Sequence, residues 1–252
     1  LNKSVGLNAT KTDVVVWIPL GKGVQRNIYY DFLESEQVKR VLNETGSPLV
    51  AIDVLRKVCQ HPSLLNKKMK ATTAPRKRPD KNKNKKTSTG FSDDSGDDDE
   101  QNVAAAAASS SSSLSSSSNE NGIDWMAKYP KMTSFRASSK LCFLMKLITS
   151  LKDHGGHRTL IFTSTKLMLN LIEQCLPMIN MSNLRIDGET PLKVRQSLVD
   201  EFNMNPNIDV FLLTIGVGGV GLTLTGADRV VLFDPSWNPS IDRQAVDRCY
   251  RI

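Results

Sequence analysis

The second half of the chain alternates short apolar runs with amphipathic stretches, and this alternation most limits the folds available to it. The apolar runs occupy 158–163, 183–186, 210–214 and 229–233. Continuous apolar runs of this length are typical of strands buried on both faces of a parallel sheet. The stretches between them place apolar residues three and four positions apart and occupy 139–152, 166–176 and 192–202. The pattern predicts a parallel α/β sheet with helices on both faces.

The first 65 residues also indicate folded structure. A β-branched and aromatic run at 14–18 predicts a strand. Apolar residues spaced by three to four over 25–42 predict a helix. Ser47 and Pro48 predict the start of a further helix, because serine favours the cap and proline the first turn. That helix should end before Pro62, since proline cannot continue it.

Residues 66–121 differ in composition from both flanks. A basic block at 76–86 precedes an acidic block at 93–100, and runs of alanine and serine follow. Such a stretch cannot bury enough apolar area to offset the entropy of the chain, so we expect it to be disordered. The resulting division is 1–65, the disordered segment 66–121, and 122–252. The basic block is also typical of nuclear targeting signals, although a solvated charge run has the same composition.

Charge and cysteine usage exclude several classes of protein. The net charge is +7 and the pI is about 9.2, which is compatible with a polyanionic partner. The four cysteines are far apart and form no C-x-x-C pair, which argues against a zinc ribbon or a secreted disulfide scaffold. We expect no metal site. We also expect no membrane partner, since no apolar run reaches about 18 residues.

A glycine-rich segment directly follows the apolar run at 210–214. Its four glycines are Gly216, Gly218, Gly219 and Gly221. Glycines at the end of a strand let the backbone approach a phosphate closely and leave amide donors uncovered. The alternative is a tight loop whose glycines serve packing alone.

Two further clusters follow. Trp237 stands between Pro235 and Pro239 after the last apolar run, where it either projects from a loop or plugs the edge of the sheet. Arg248 and Arg251 are three residues apart and would share one face of a helix. Two guanidinium groups on one face can hold a transferring γ-phosphate, although a solvated basic face has the same spacing.

In this order and spacing, the three clusters resemble motifs V, Va and VI of the SWI/SNF-like ATPases of helicase superfamily two. Residues 160–164 resemble motif IV, 185–190 resemble the family's R-[LI]-D-G-x-T turn, and 57–65 resemble its helix ending in Cys-x-His-Pro. The resemblance covers everything except 66–120. It implies that this tract is an insertion within one lobe, because the family joins the helix ending at His61–Pro62 to the helix starting at Ser139 by a connection inside the same lobe. The amino-acid sequences of 217–225 and 47–49 are most similar to those of the Cockayne-syndrome-B-like branch.

The resemblance implies a second, RecA-like motor lobe of a nuclear ATPase that moves on double-stranded DNA or chromatin. ATP and Mg²⁺ would be bound mainly by a first lobe of the same polypeptide, outside this chain. The implied catalytic residues are Arg248, Arg251 and, orienting them, Gln244. The implied nucleotide-binding residues are Gly218, Gly219, Gly221 and Asp247. The implied DNA-binding residues are Trp237, Asn238, Ser164, Arg185 and Thr190.

The chain also departs from the family pattern. It ends at Ile252, where the last motif usually continues, and it contains no Walker A motif. We therefore expect no ATP hydrolysis by this chain alone. A strand-separating helicase and a non-enzymatic DNA- or partner-binding fragment remain alternatives. A nicotinamide-dependent dehydrogenase is disfavoured, because the glycines come late and lack the G-x-G-x-x-G spacing.

Overall fold

The computed structural model describes residues 11–66, 124–218 and 222–247. The described residues on both sides of 67–123 belong to one compact unit. The segment is therefore an insertion within a single lobe, as the resemblance implied. The prediction of disorder for 66–121 and the basic block within it lie, apart from Asn66, outside the described residues.

A parallel sheet forms the centre of the lobe. Its strands are β1 (Thr159–Thr163), β2 (Asn183–Ile186), β3 (Val210–Thr214) and β4 (Arg229–Leu232), in the order β2-β3-β1-β4. Phe162 of β1 lies in register with Leu213 of β3 and Leu232 of β4. The predicted strands of the second half, the parallel arrangement and the RecA-like class are confirmed.

Helices cover both faces of this sheet. They are α5 (Ser139–Gly155), α6 (Lys166–Cys175), α7 (Leu192–Met204), α8 (Ile215–Gly218) and α9 (Pro239–Asp247), whereas the short α4 (Trp125–Lys128) packs with the N-terminal part. Successive strand residues alternate between the faces. Ile161 therefore packs with α5 and α6, whereas Leu160 and Phe162 pack with α7 and α9. Within the described ranges, no helix has the length and apolar character to cross a membrane.

The N-terminal part adds α1 (Val24–Leu33), α2 (Glu36–Leu42) and α3 (Pro48–Gln60) around a small core of Ile28, Val58 and Met132. The prediction of one helix over 25–42 is wrong at its middle. Ser35 has extended backbone angles, and its hydroxyl donates a hydrogen bond to the Phe32 carbonyl at 2.6 Å. This local bond competes with the helical pattern and ends α1. The helix predicted from Ser47 to Pro62 is confirmed.

The strand predicted at 14–18 is wrong in this structure. The segment has no regular secondary structure, and its apolar side chains face solvent, with Trp17 91% exposed. β-branched residues favour a strand only where a neighbouring strand offers a hydrogen-bonding edge. In the described sheet this segment pairs with no strand, although the outer edge of β4 is unpaired.

Candidate nucleotide and DNA interface

The carboxyl ends of the parallel strands bring the predicted site residues to one edge of the sheet. Ser164 directly follows β1, Thr190 lies in the turn after β2, α8 follows β3, and Trp237 lies in the loop after β4. The chain leaves β1 toward α6 on one face and leaves β4 toward α9 on the other. In α/β proteins, ligands bind in the crevice that such diverging connections leave at the carboxyl ends of the strands.

One buried carboxylate, that of Asp234, joins the loops after β1 and β4. Asp234 is 3% exposed. Its Oδ1 accepts the Ser164 amide hydrogen at 2.9 Å, and its Oδ2 accepts the Ser164 hydroxyl. Because one side chain satisfies both the backbone and the hydroxyl of Ser164, it fixes the position of that residue relative to the Trp237 loop.

Helix α3 completes this cluster from the N-terminal part of the chain. Gln60 Nε2 donates to Asp234 Oδ2 at 2.8 Å, and Arg56 Nη2 lies 3.6 Å from the same oxygen. Arg56 Nη2 also donates to the Ser164 hydroxyl oxygen at 2.5 Å. We refer to Arg56, Gln60, Ser164 and Asp234 as the Asp234 cluster. Two of its members precede the insertion in the sequence and two follow it, so the cluster also holds the two parts of the lobe together.

Burial controls the ionisation of the groups around this cluster. It raises the pKa of the Asp234 carboxyl, against the lowering effects of Ser164, Lys140 and Arg56. Burial likewise lowers the pKa of the Lys140 ammonium, which lies 4.8 Å from the centre of the Phe233 ring. The opposite charges nearby offset part of the cost of desolvation, which makes the cluster sensitive to the loss of any single member.

The end of α3 is fixed by a buried histidine. His61 Nδ1 accepts hydrogen bonds from the Ser63 amide at 3.1 Å and from its hydroxyl at 2.7 Å. Burial lowers the pKa of His61 to about 4. The ring is therefore neutral near pH 7, where it caps the turn that follows α3.

The loop after β4 exposes Trp237, whose accessible fraction is 79%. The alternative of a buried tryptophan that plugs the sheet edge is therefore wrong. Asp242 Oδ2 accepts the Ser236 amide at 2.8 Å, which ties the loop to α9. Asn238, predicted to contact DNA, uses its Oδ1 to accept the Ser240 amide at 3.0 Å and so caps α9.

The turn after β2 holds Arg185 and Thr190 in internal contacts. The Arg185 guanidinium donates to Asp187 Oδ2 at 2.7 Å and to Glu173 Oε2 at 2.6 Å, and its side chain is 12% exposed. Burial alone would raise the pKa of Asp187, but its bonds to Arg185 and to the Glu189 amide hold it below the ordinary value. Thr190 Oγ1 accepts the Asp187 amide at 3.1 Å. Arg185 thus shapes this turn, and direct DNA contact by Arg185 or Thr190 stays a prediction.

The predicted nucleotide-binding residues lie around α8 and α9, which pack against each other. Gly218 is the last residue of α8, whereas Gly219 and Gly221 lie outside the described residues, as do Arg248 and Arg251. Gln244 and Asp247 are exposed on α9, and Asp247 lies 3.2 Å from Lys11 Nζ. The structure thus brings the start of the glycine-rich segment, in α8, next to α9, which precedes Arg248 in the sequence.

Arg56, Gln60 and Asp234 were not identified as site residues from the sequence. Asp234 is separated from Ser164 by 70 residues and from Gln60 by 174. The available signal was their position beside recognised motifs: Gln60 precedes His61–Pro62, and Asp234 opens the Trp237 loop. Nothing in that position indicated that the two side chains meet.

Comparison with known proteins identifies the fold and the family. Residues 139–252 match the helicase conserved C-terminal domain. The mouse DNA excision repair protein ERCC-6-like is 41% identical over 249 residues, which are 97% of this chain and 17% of that protein. The rice DNA excision repair protein CSB is 32% identical over 228 residues, which are 90% of this chain and 14% of that protein.

A solved structure supports the same fold. The Sulfolobus solfataricus SWI2/SNF2 ATPase C-terminal domain has a TM-score of 0.52 and 20% identity, covering 86% of this chain and 69% of that one. These likenesses confirm the resemblance to the SWI/SNF-like ATPases and to their Cockayne-syndrome-B-like branch. The chain belongs to the SNF2 family and forms its RecA-like C-terminal helicase lobe.

Proposed function

We propose that this lobe is the second motor lobe of an ATP-dependent translocase that moves on double-stranded DNA. The observation that carries the proposal is the Asp234 cluster. It fixes Ser164 and the exposed Trp237 loop at one edge of the sheet, while α8 and α9 pack together at the neighbouring strand ends. Ser164 and Trp237, which we propose to face DNA, and the two helices that we assign to the nucleotide side therefore lie at the same edge of one sheet, which suits a motor that couples hydrolysis to movement.

The described residues fit a phosphate-bearing ligand at the nucleotide-facing side. Where a Cβ of Gly216 would stand, no atom of the described residues lies within 4 Å, so among these residues the backbone after β3 is open to an approaching group. ATP with Mg²⁺, held mainly by the first lobe, supplies the γ-phosphate whose hydrolysis drives the motor. From this lobe, Gln244 would orient Arg248 and Arg251, which stabilise negative charge. Gly218, Gly219, Gly221 and Asp247 would border the cleft.

The cellular setting follows from the relatives and the basic block. The mouse and rice relatives are named DNA excision repair proteins, and 76–86 has the composition of a nuclear targeting signal. We place the protein in the nucleus, on DNA or chromatin, in repair, chromatin remodelling or chromosome segregation. This chain spans 17% of the mouse relative's length, so the activity is that of the whole polypeptide.

Replacement of Trp237 by alanine tests the proposed DNA-facing edge. In the full-length protein, we expect Trp237→Ala to raise the duplex DNA concentration needed for half-maximal stimulation of ATP hydrolysis by about tenfold or more, because central tryptophans at interfaces are worth about 2 kcal/mol. Trp17→Ala is the matched control, since Trp17 is 91% exposed on an irregular segment. Equal effects of the two substitutions, or no stimulation of the wild-type protein by duplex DNA, would contradict the proposal.

A further inference from the structure

A basic cleft lies beside the Asp234 cluster and is not used by the function described so far. It is bounded by the start of α1, the start of α5 and two 3-10 turns, Pro130–Thr133 and Phe135–Ala137. Its volume is about 440 Å³. This volume lies within the range of about 300–1,000 Å³ typical of ligand sites and exceeds what a single inorganic ion fills.

Three cationic side chains line this cleft: Lys22, Lys131 and Arg136. All three residues are exposed, and none forms an ion pair with a carboxylate in the part of the chain that the structure describes. No aspartate or glutamate of the described ranges lines the cleft. Three unneutralised cations around one cavity produce a positive potential that favours an anionic ligand.

Backbone and hydroxyl groups add to this preference. Both α1 and α5 begin at the cleft, and the start of a helix carries partial positive charge. The amides of Ser139 and Leu141 at the start of α5 are already bonded to Gln25 and Ser138, so unpaired amide hydrogens come mainly from the start of α1. Gly23, before α1, has no side chain that could cap its first turn. Thr133, Ser134 and Ser139 line the same cavity with hydroxyl groups. Cations, helix starts and hydroxyls are together the donors that proteins use to hold phosphate groups.

Hydrogen bonds connect the cleft to the proposed DNA-facing edge. Gln25 Oε1 accepts the Ser139 amide at 3.1 Å, and Gln25 Nε2 donates to the Val58 carbonyl of α3 at 2.8 Å. At the end of α3, Gln60 donates to Asp234, which holds Ser164. The cleft and the Ser164 loop are therefore linked through α3.

We infer that the cleft made by Lys22, Lys131 and Arg136 binds backbone phosphates of the same DNA duplex that Ser164 and Trp237 face. The cleft extends the DNA-facing edge from the sheet onto the starts of α1 and α5. The inference rests on the proposed function, because it assigns a second contact to the same DNA. Its contribution does not depend on base sequence, since phosphates are common to every base pair.

The salt dependence of DNA binding by the full-length protein tests this inference. Each phosphate contact contributes about 0.9 to the slope of log affinity against log salt concentration. We expect the double substitution Lys22→Ala/Lys131→Ala to make this negative slope shallower by about 1 to 2. Duplex binding should also weaken about tenfold or more at about 0.1 M salt. Arg136→Ala should make the slope shallower by about 1. The measurement is fluorescence anisotropy of labelled duplex titrated at several salt concentrations.

Lys146→Ala is the control for loss of charge, because Lys146 is exposed farther along α5 and does not line the cleft. It should leave the slope unchanged. If the cleft variants bind duplex with the wild-type slope, the cleft does not hold DNA and the inference is wrong. If those same variants nevertheless bind tripolyphosphate more weakly than the wild-type protein does, the cleft holds an anion other than DNA. If the wild-type protein itself does not bind duplex, the proposed function fails with it.

Discussion

ATP turnover by the full-length protein is expected to fall roughly 10³-fold or more when Arg248 or Arg251 is replaced by alanine, the scale associated with arginine fingers. Both residues lie outside the described residues, directly after α9, and α9 packs against α8 of the glycine-rich segment. We expect their planar guanidinium groups to stabilise charge on the γ-phosphate. DNA affinity should change little, because the proposed DNA-facing residues lie on other loops.

Two further variants make the arginine test specific. Arg248→Lys and Arg251→Lys keep the charge but lose the bidentate fork, so both should remain strongly impaired. Arg243→Ala is the matched control, since Arg243 is exposed on α9 five residues before Arg248. Near-normal hydrolysis by both lysine variants would make the assignment wrong. A reduced salt slope for DNA binding, with turnover intact at saturating DNA, would instead make the pair a phosphate-backbone contact.

Replacement of Asp234 by alanine is expected to loosen the proposed DNA-facing edge. Asp234 itself is buried and is not among the residues proposed to contact DNA. The substitution leaves the Ser164 amide, the Gln60 side chain and Arg56 without their shared acceptor. Loss of a buried charged acceptor costs about 2–4 kcal/mol. Local opening of the Ser164 loop should therefore become about 30-fold or more frequent, since about 1.4 kcal/mol corresponds to a factor of ten.

Hydrogen exchange measured by mass spectrometry on the full-length protein checks this prediction. Peptides that cover 160–168 should exchange faster in Asp234→Ala, whereas peptides from α7 should not. Asp153→Ala is the control, because Asp153 is exposed on α5. Unchanged exchange at 160–168 in Asp234→Ala would mean that the cluster does not hold the two loops together.

The parallel sheet could be predicted because strands that are buried on both faces consist of continuous apolar runs, which are visible in the local sequence. β3 consists of Val, Phe, Leu, Leu and Thr, and four of these residues are buried. The run at 14–18 has a similar composition, yet it forms no strand in the described residues. Composition reports the tendency of a segment to be extended, but a strand also needs a neighbour, which no local pattern reveals.

The candidate site was predictable to a different degree at each position. Trp237 stood out because two prolines confine it to a loop, and its exposure agrees with a contact residue. Arg185 also stood out, but two carboxylates, Glu173 and Asp187, pair with it. The Asp234 cluster and the basic cleft could not be predicted, because their members are distant in sequence and ordinary in type. Only the packing of α1, α3 and α5 at the edge of the sheet brings them together.

Displacement of the third strand from a DNA triplex by the full-length protein tests the proposed motor most directly. A duplex translocase pushes off the third strand while the duplex beneath stays paired. We expect ATP-dependent displacement of the third strand, its loss in Arg248→Ala, and no separation of a forked duplex under the same conditions. Separation of the forked duplex with the triplex left intact would identify a strand-separating helicase, and an intact triplex in the presence of ATP would contradict the translocase.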